Sequence, residues 1–81
     1  MNTMNSDTTM TGTKQIEVTA NGSRFTIPEG QALDAFVRAR GFDPDLVVVE
    51  RNLEAVTPSE RAAVRLQDGD RLEIVRIVAG G

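Results

Sequence analysis

The first regular pattern along the chain is an alternation of apolar and polar residues over residues 14–20. A period of two is typical of a strand with one buried face, because successive side chains of a strand point to opposite sides. The pair Asn21-Gly22 follows, and it favours a tight type I′ turn, which needs positive φ at both central positions. The alternation returns over residues 24–27 and ends at Pro28, which cannot donate to a sheet. These residues predict a β-hairpin.

After the hairpin, the apolar spacing changes to that of a helix. Leu33, Phe36 and Val37 have the i, i+3, i+4 spacing that gathers side chains on one helical face. We expect this helix to begin at residues 30–31 and to end before Gly41, because glycine readily takes the left-handed conformation found just past helix ends. The shared apolar face predicts that the helix packs against a sheet.

A third strand is predicted near the middle of the chain. Residues 46–49 form a continuous apolar run, which is typical of a strand that is buried on both faces or covered by a partner. We expect residues 51–54 to form a loop in which Asn52 takes a left-handed conformation, because asparagine tolerates it better than most residues.

The last predicted elements are a short helix and a strand. Thr57 and Glu60 have the spacing of a capping box, which predicts a short helix over residues 58–63. An Asp-Gly-Asp turn at residues 68–70 precedes an apolar, β-branched segment over residues 71–78, which predicts the final strand. We interpret the two aspartates as turn residues rather than as a metal or acid–base site.

In order, these elements predict one α+β domain over residues 14–78. A right-handed crossover after the hairpin would lay the main helix across one face of a four-stranded mixed sheet, with the first and last strands side by side at its centre. This is the β-grasp, or ubiquitin-like, fold, here with one main helix and one short helix. Residues 1–13 are polar and have no period, so we expect a disordered N-terminal arm that the fold does not need.

Composition narrows the chemistry available to this domain. The 81-residue chain contains no cysteine and no histidine, which removes thiol nucleophiles, imidazole bases and the common zinc ligands. The net charge is −3, and there is no tryptophan or tyrosine, so the composition is poor for binding nucleic acid. The sequence shows no membrane-spanning run and no secretory signal. We therefore expect a cytoplasmic protein that binds other proteins rather than nucleic acid, a membrane or a metal.

The candidate chemistry lies at the C-terminus. Ala79, Gly80 and Gly81 directly follow the last predicted strand. Glycines have no side chain to pack and lose much backbone freedom when they are ordered, so residues 79–81 should form a slim, flexible tail. Its one reactive group is the α-carboxylate of Gly81, which is the candidate modified residue, while Gly80 and Ala79 would give access to a narrow site.

Three features together resemble a known family: the Asn-Gly hairpin, the segment LQDGDRLEIVRIV and the terminal Gly-Gly. Over residues 14–81 the chain is similar to the ThiS sulfur carriers of thiamine biosynthesis and, more distantly, to the MoaD carriers of molybdopterin biosynthesis. It departs from the usual pattern at Asn52-Leu53, where many members have Asn-Gly, and at Ala79, where many have a third glycine.

The resemblance implies a function for Gly81. In this family the terminal carboxylate is adenylated with ATP by an activating enzyme of the ThiF or MoeB type. Sulfur from a donor such as a cysteine desulfurase then replaces the adenylate, and the thiocarboxylate is passed to a thiazole synthase of the ThiG type. The chain would be a protein co-substrate rather than an enzyme. It would bind no cofactor, and the activating enzyme would use the ATP.

A partner-binding surface is predicted on the face of the sheet opposite the main helix. Because side chains alternate along a strand, Val75 and Ile77 should point away from the helix, as should Val48 if its two neighbours point inward. An exposed apolar patch on a small domain commonly marks an interaction site, so these residues are predicted to contact the activating enzyme. The alternative is that residues 58–66 fold over the patch.

Other functions remain open at this point. Thiamine biosynthesis is the first choice, and a sulfur carrier for molybdopterin or another sulfur-transfer pathway is the alternative. The chain would also suit a ubiquitin-like modifier that forms isopeptide bonds through Gly81. An inert binding module with the same fold would not need Gly81 at all. The sequence does not identify the sulfur donor, the acceptor or the oligomeric state.

Overall fold

The structure, a computed structural model, describes residues 14–78. Within this range the chain forms five strands, two α-helices and one 3-10 helix. In chain order these are β1 (Gln15–Ala20), β2 (Ser23–Pro28), α1 (Leu33–Ala39), the 3-10 helix (Pro44–Leu46), β3 (Val47–Arg51), β4 (Glu54–Val56), α2 (Pro58–Arg61) and β5 (Arg71–Arg76). The predicted disordered arm, residues 1–13, and the predicted flexible tail of Ala79, Gly80 and Gly81 lie outside the described residues.

The strands form one mixed sheet in the order β2-β1-β5-β3-β4. Strands β1 and β5 lie side by side in its interior and run parallel, with Thr19 opposite Arg71. All other neighbouring strands in the described sheet are antiparallel. The parallel central pair, joined through a connection that contains α1, confirms the β-grasp fold predicted from the sequence.

The sheet has five strands rather than the four that were expected. The additional strand, β4, follows β3 after a two-residue turn formed by Asn52 and Leu53, whose φ angles are 53° and 72°. The expectation was a loop over residues 51–54; the sequence has no hairpin signal here, because leucine does not favour the positive φ of a tight turn. Asn52 takes the predicted left-handed conformation, and its Oδ1 accepts a hydrogen bond from the Arg71 N–H at 2.9 Å. This bond ties the turn to the start of β5.

The hydrophobic core lies between α1 and one face of the sheet, here called the inner face. Leu33, Phe36 and Val37 are buried, as their helical spacing predicted. Phe25 contacts the Phe36 ring edge-on with centroids 5.5 Å apart, and the Arg40 guanidinium lies 4.3 Å from the Phe25 centroid. The remaining core residues come mainly from alternate positions of the strands: Ile16, Val18, Ala20, Ile27, Val47, Val49, Leu66, Leu72 and Ile74.

The main helix begins later than expected, at Leu33 rather than at residues 30–31. Gly30 has a φ of 80°, and Ala32 is extended, so the chain makes a turn here before it becomes helical. The predicted end of the helix is confirmed, because Gly41 has a φ of 88°.

The apolar run of residues 46–49 is not buried on both faces, so the first of its two interpretations is wrong, and cover of its exposed face by a partner stays a prediction. Leu46 ends a 3-10 helix that Asp43 caps with its side chain. The strand that follows alternates normally: its first and third residues are buried, and its second residue, Val48, is exposed. The run appeared uniform because the exposed positions are apolar as well.

The capping box of the short helix is confirmed. The Thr57 hydroxyl accepts a hydrogen bond from the Glu60 N–H at 3.3 Å, and Glu60 Oε1 accepts one from the Thr57 N–H at 2.9 Å. The Thr57 N–H, which stabilises the carboxylate, holds the pKa of Glu60 below its usual value. Helix α2 ends at Arg61 rather than at residue 63, and β5 ends at Arg76 rather than at residue 78.

Candidate functional site

The face of the sheet opposite α1, here called the outer face, carries the residues predicted to bind a partner. Strands β3 and β5 place Val48 directly opposite Val75. Beyond this pair, the Leu46 carbonyl accepts a hydrogen bond from the Ile77 N–H at 2.8 Å. The four side chains are all more than half exposed, and together they form what we call the docking patch. The exposure of Val48, Val75 and Ile77 agrees with the prediction from the alternation of side chains along each strand. Their contact with an enzyme stays a prediction.

Sequence reasoning missed Leu46 as a member of this patch, because the continuous apolar run of residues 46–49 did not show which of its side chains would be exposed. Strand register is the signal that could have found it. The antiparallel register that pairs Val48 with Val75 also brings residue 46 beside Ile77. Val78 follows directly and is exposed as well, so the apolar surface continues to the point where the described chain ends.

The segment that was the alternative cover for the docking patch lies elsewhere. Leu66 is buried in the core, and the Leu33 N–H donates to the Val64 carbonyl at 3.0 Å. These contacts place the end of the segment over residues 58–66 beside the start of α1, at the inner face. Among residues 14–78, nothing covers the docking patch.

A buried arginine holds the chain that carries Leu46. Arg61 is 3% exposed, and its guanidinium donates to the carbonyl of Pro44 at 2.6 Å and to that of Val47 at 3.2 Å. Asp34 Oδ1 lies 3.6 Å from Arg61 Nε and balances the buried charge. Because the two carbonyls flank Leu46, these bonds set the position of the docking patch relative to the core.

Strand β5, which leads to the tail, is held by a side chain on its other edge. Asn21 Oδ1 accepts a hydrogen bond from the Ile74 N–H at 2.8 Å, and Asn21 Nδ2 donates to the Ile74 carbonyl at 3.0 Å. The register of the parallel pair β1–β5 stops at Leu72, because the chain turns away after β1. The Asn21 amide therefore takes the place of a further backbone pair. As a result, the tail leaves the domain from a strand that is held on both edges.

The turn before β5 is built around Asp70. Its carboxylate accepts hydrogen bonds from the Gln67 N–H at 2.8 Å, from Asn52 Nδ2 at 3.0 Å and from Arg51 Nε at 3.0 Å. Burial disfavours the charged carboxylate and raises the pKa, but these donors outweigh burial and hold the pKa of Asp70 below its usual value. Asp70 is thus an ionised structural residue that joins the β3–β4 turn to the start of β5.

The other aspartate of this turn also has a structural contact. Asp68 Oδ1 accepts a hydrogen bond from the Glu17 N–H at 2.8 Å, which agrees with its interpretation as a turn residue. Over residues 14–78, no three side chains of the metal-binding types come together. In the same range, no helix has the length and hydrophobicity needed to cross a membrane.

Comparison with known proteins gives one family relationship. A model of the ThiS family matches residues 13–81, a range that includes both the described domain and the tail. Among solved structures, the thiamine biosynthesis protein ThiS of Geobacter metallireducens is similar, with a TM-score of 0.70 and 26% sequence identity. That match covers 82% of this chain and 100% of the solved chain.

Two curated relatives are much longer proteins. The chain is 38% identical over 66 residues to the thiazole synthase of Paramagnetospirillum magneticum. It is 33% identical over 66 residues to the thiazole synthase of Magnetococcus marinus. Each match covers 82% of this chain and 20% of the relative, so the chain spans about a fifth of the length of the curated relatives it matches.

Proposed function

The chain belongs to the ThiS family of ubiquitin-like sulfur carriers, and we propose that it carries sulfur for thiamine biosynthesis as a thiocarboxylate on Gly81. The observation that carries the proposal is the family match, which extends through the terminal Gly-Gly. The docking patch beside the tail supports it, because a carrier must present its carboxylate to the active site of another protein.

The chemistry explains why a partner is needed. A free carboxylate does not react with sulfide, because its oxygen is a poor leaving group. An activating enzyme of the ThiF or MoeB type would join the Gly81 carboxylate to the AMP part of ATP and release pyrophosphate. Sulfide would then form the C–S bond and displace AMP; where the donor is a cysteine desulfurase, a thiol must first reduce its persulfide to release the sulfur as sulfide. The carrier contributes the carboxylate and no catalytic side chain.

The composition of the tail suits this role. Val78 is exposed where the described chain ends, and the three residues after it can span about 10 Å when fully extended. Ala79 adds one methyl group, and Gly80 adds no side chain. Such a tail would enter a channel too narrow for larger residues and bring Gly81 to a buried ATP site.

The docking patch would supply the contact that aims the tail. Ile77 belongs to the patch and lies four positions before Gly81, so a partner that buries the patch also holds the origin of the tail. Exposed apolar patches on small domains commonly mark such interaction sites. We assign this contact to the activating enzyme, because adenylation is the step that requires the carboxylate deep in an active site.

A thiazole synthase of the ThiG type is the proposed sulfur acceptor. The support is that both curated relatives described above are thiazole synthases. This assignment separates the chain from a carrier for molybdopterin, which would pass its sulfur to a different enzyme.

Intact-mass analysis tests the proposal. The full chain is incubated with a ThiF-type activating enzyme, ATP and sulfide. We expect a mass gain that corresponds to replacement of one oxygen by one sulfur, and fragmentation should locate it at Gly81. Addition of a thiazole synthase and its small-molecule substrates should then remove the sulfur.

Two variants make this test specific. A chain that lacks Gly81 should gain no sulfur and should not support exchange of pyrophosphate into ATP. Gly80→Val should stay folded but react much more slowly, because its branched side chain would obstruct the channel. If the truncated chain still supports exchange, Gly81 is not the activated residue. Stable conjugates to lysine side chains would instead identify a protein modifier.

A further inference from the structure

The domain contains two hairpin turns with nearly the same backbone conformation and different residues. The β1–β2 turn is Asn21-Gly22, with φ angles of 50° and 85°. The β3–β4 turn is Asn52-Leu53, with φ angles of 53° and 72°. In the left-handed conformation a Cβ atom comes too close to the following carbonyl oxygen, so the second position favours glycine over leucine. The backbone conformation of the turn therefore does not explain why residue 53 is a leucine.

Packing within the domain does not explain the leucine either. Its side chain is 91% exposed, the highest value among the large apolar side chains of residues 14–78. It adds nothing to the core, and a glycine or an asparagine would keep the turn with less strain. A leucine that is both strained and exposed points to a contact outside the domain.

The surface beside Leu53 indicates the chemistry of the partner. Between the docking patch and the turn, β3 and β5 place Glu50 directly opposite Glu73. Like charges that face each other across two strands repel, and within residues 14–78 neither glutamate forms an ion pair. Together with Asn52, Leu53 and Arg71 they line an open cavity of about 350 Å³. Arg71 offsets one of the two negative charges without forming an ion pair with either glutamate, and an arginine or lysine of a partner would offset the other.

We propose that the docking surface continues along the outer face from the docking patch to Leu53, and that Leu53 is its second apolar anchor. The occupant is one folded protein, the activating enzyme of the proposed function, on which this inference rests. That enzyme presents an apolar socket to Leu53 and a basic side chain to Glu50 and Glu73.

The dimensions of the outer face are compatible with one partner. Val48 lies three positions before Arg51, the end of β3, which corresponds to roughly 10 Å along the strand, and Leu53 follows in the turn. A standard protein interface covers about 800 Å² on each partner, which is enough to include both Val48 and Leu53. The docking patch lies at the tail end of β5, and Leu53 lies at the other end. A partner that contacts both ends of β5 would fix the direction in which the tail leaves the domain. A partner that contacts only the docking patch would not fix it.

Substitutions of Leu53 in the full chain separate a contact role from a turn role. Leu53→Gly copies the first hairpin, and Leu53→Asn also suits a left-handed position. Both variants should unfold at the same temperature as the unsubstituted chain or at a higher one. Both should bind a purified ThiF-type activating enzyme about fivefold more weakly or worse, as measured by calorimetry. Leu53→Met keeps an unbranched apolar side chain and should retain the affinity to within about twofold.

Glu73→Gln tests the predicted basic contact. It removes one of the two facing charges and keeps the shape of the side chain. We expect weaker binding of the activating enzyme at low salt and a smaller loss of affinity as salt is added, because one screened charge pair is gone. Affinity that is unchanged at every salt concentration would remove the basic side chain from the inference.

Val75→Asp distinguishes this inference from the proposed function. If Val75→Asp abolishes binding while Leu53→Gly binds like the unsubstituted chain, the docking patch stands and its extension to Leu53 is wrong. A lower unfolding temperature of Leu53→Gly would also overturn the inference, because Leu53 would then serve the fold. If Leu53→Gly weakens binding of a thiazole synthase and not of the activating enzyme, the assigned occupant is wrong.

Discussion

Neighbouring residues on the two faces of the sheet have the same chemistry and opposite surroundings. Val47 is 4% exposed and Val48 is 52% exposed; Ile74 is 4% exposed and Val75 is 60% exposed. The difference lies in what covers them. Helix α1 and Leu66 pack on the inner face, whereas no element of residues 14–78 covers the apolar part of the outer face. Hydrophobicity alone therefore does not say whether a side chain serves the fold or a partner.

The two faces differ in the step at which burial of their apolar side chains contributes free energy. Burial of a valine- or leucine-sized side chain stabilises by about 1.5–3 kcal/mol. On the inner face this free energy is already gained in the folded domain. On the outer face it would be gained only if a partner binds there. Substitutions on the inner face should therefore change the free energy of unfolding, and substitutions in the docking patch should change affinity.

The largest effect is expected on the inner face. Phe36→Ala removes a buried ring from the centre of the core and should lower the free energy of unfolding by about 3–5 kcal/mol. Val75→Ala on the outer face is the matched control and should change it by less than about 0.5 kcal/mol. Urea unfolding of both variants measures the difference. Similar losses for the two variants would mean that the outer face also stabilises the isolated domain.

An intermediate effect is expected on binding. Val75→Asp should leave the fold intact and weaken binding of the activating enzyme by more than about 1 kcal/mol, because it places a charge in an apolar contact. Thr26→Asp introduces the same charge on β2, away from the docking patch, and should bind normally. Calorimetry and pyrophosphate exchange measure both variants. Equal behaviour of the two would show that the change acts through net charge rather than through the docking patch.

The smallest effect is expected in the turn that leads into β5. The pKa of Asp70 is lowered in the folded domain, so the unfolded chain takes up a proton first as the pH falls. The contribution of Asp70 is therefore present above its unfolded pKa of about 4 and is lost as the pH falls through its folded pKa.

Asp70→Asn should remove this dependence. The variant should lose about 1 kcal/mol at neutral pH and show a shallower fall in stability under acid conditions. Urea midpoints measured over a series of pH values test this. Parallel pH profiles for the variant and the unsubstituted chain would show that other carboxylates control the acid sensitivity.

The elements that were predicted correctly depend on interactions between near neighbours in the chain. The first hairpin follows from the glycine-containing turn, and the position of α2 follows from the Thr57–Glu60 capping box. The buried face of α1 follows from helical spacing. The fifth strand was not predicted, because Leu53 gives no turn signal and the turn exists through the pairing of β3 with β4.

The residues of the candidate site were likewise predicted only where the signal lies between near neighbours in the chain. The alternation in β5 predicted the exposure of Val75 and Ile77, which is confirmed. The terminal Gly-Gly predicted Gly81 as the modified residue, which stays a prediction. Leu46 was missed because its membership of the docking patch depends on its partner across the sheet, Ile77, which is 31 positions away. The role proposed for Leu53 also rests on a backbone angle and an exposed fraction, neither of which a sequence pattern provides.

By itself, the sequence determined the first hairpin, the two α-helices, the last strand and the apolar residues of the inner face, and it predicted Gly81 as the candidate modified residue. Each of these depends on side-chain period, turn chemistry or composition, which act within a few residues. Only the tertiary structure decided what supports the tail and what the outer face exposes. Asn21 bonds to Ile74 across 53 positions, and Arg61 bonds to the Pro44 carbonyl across 17. Such contacts exist only after the sheet has formed, because pairing sets which distant residues meet.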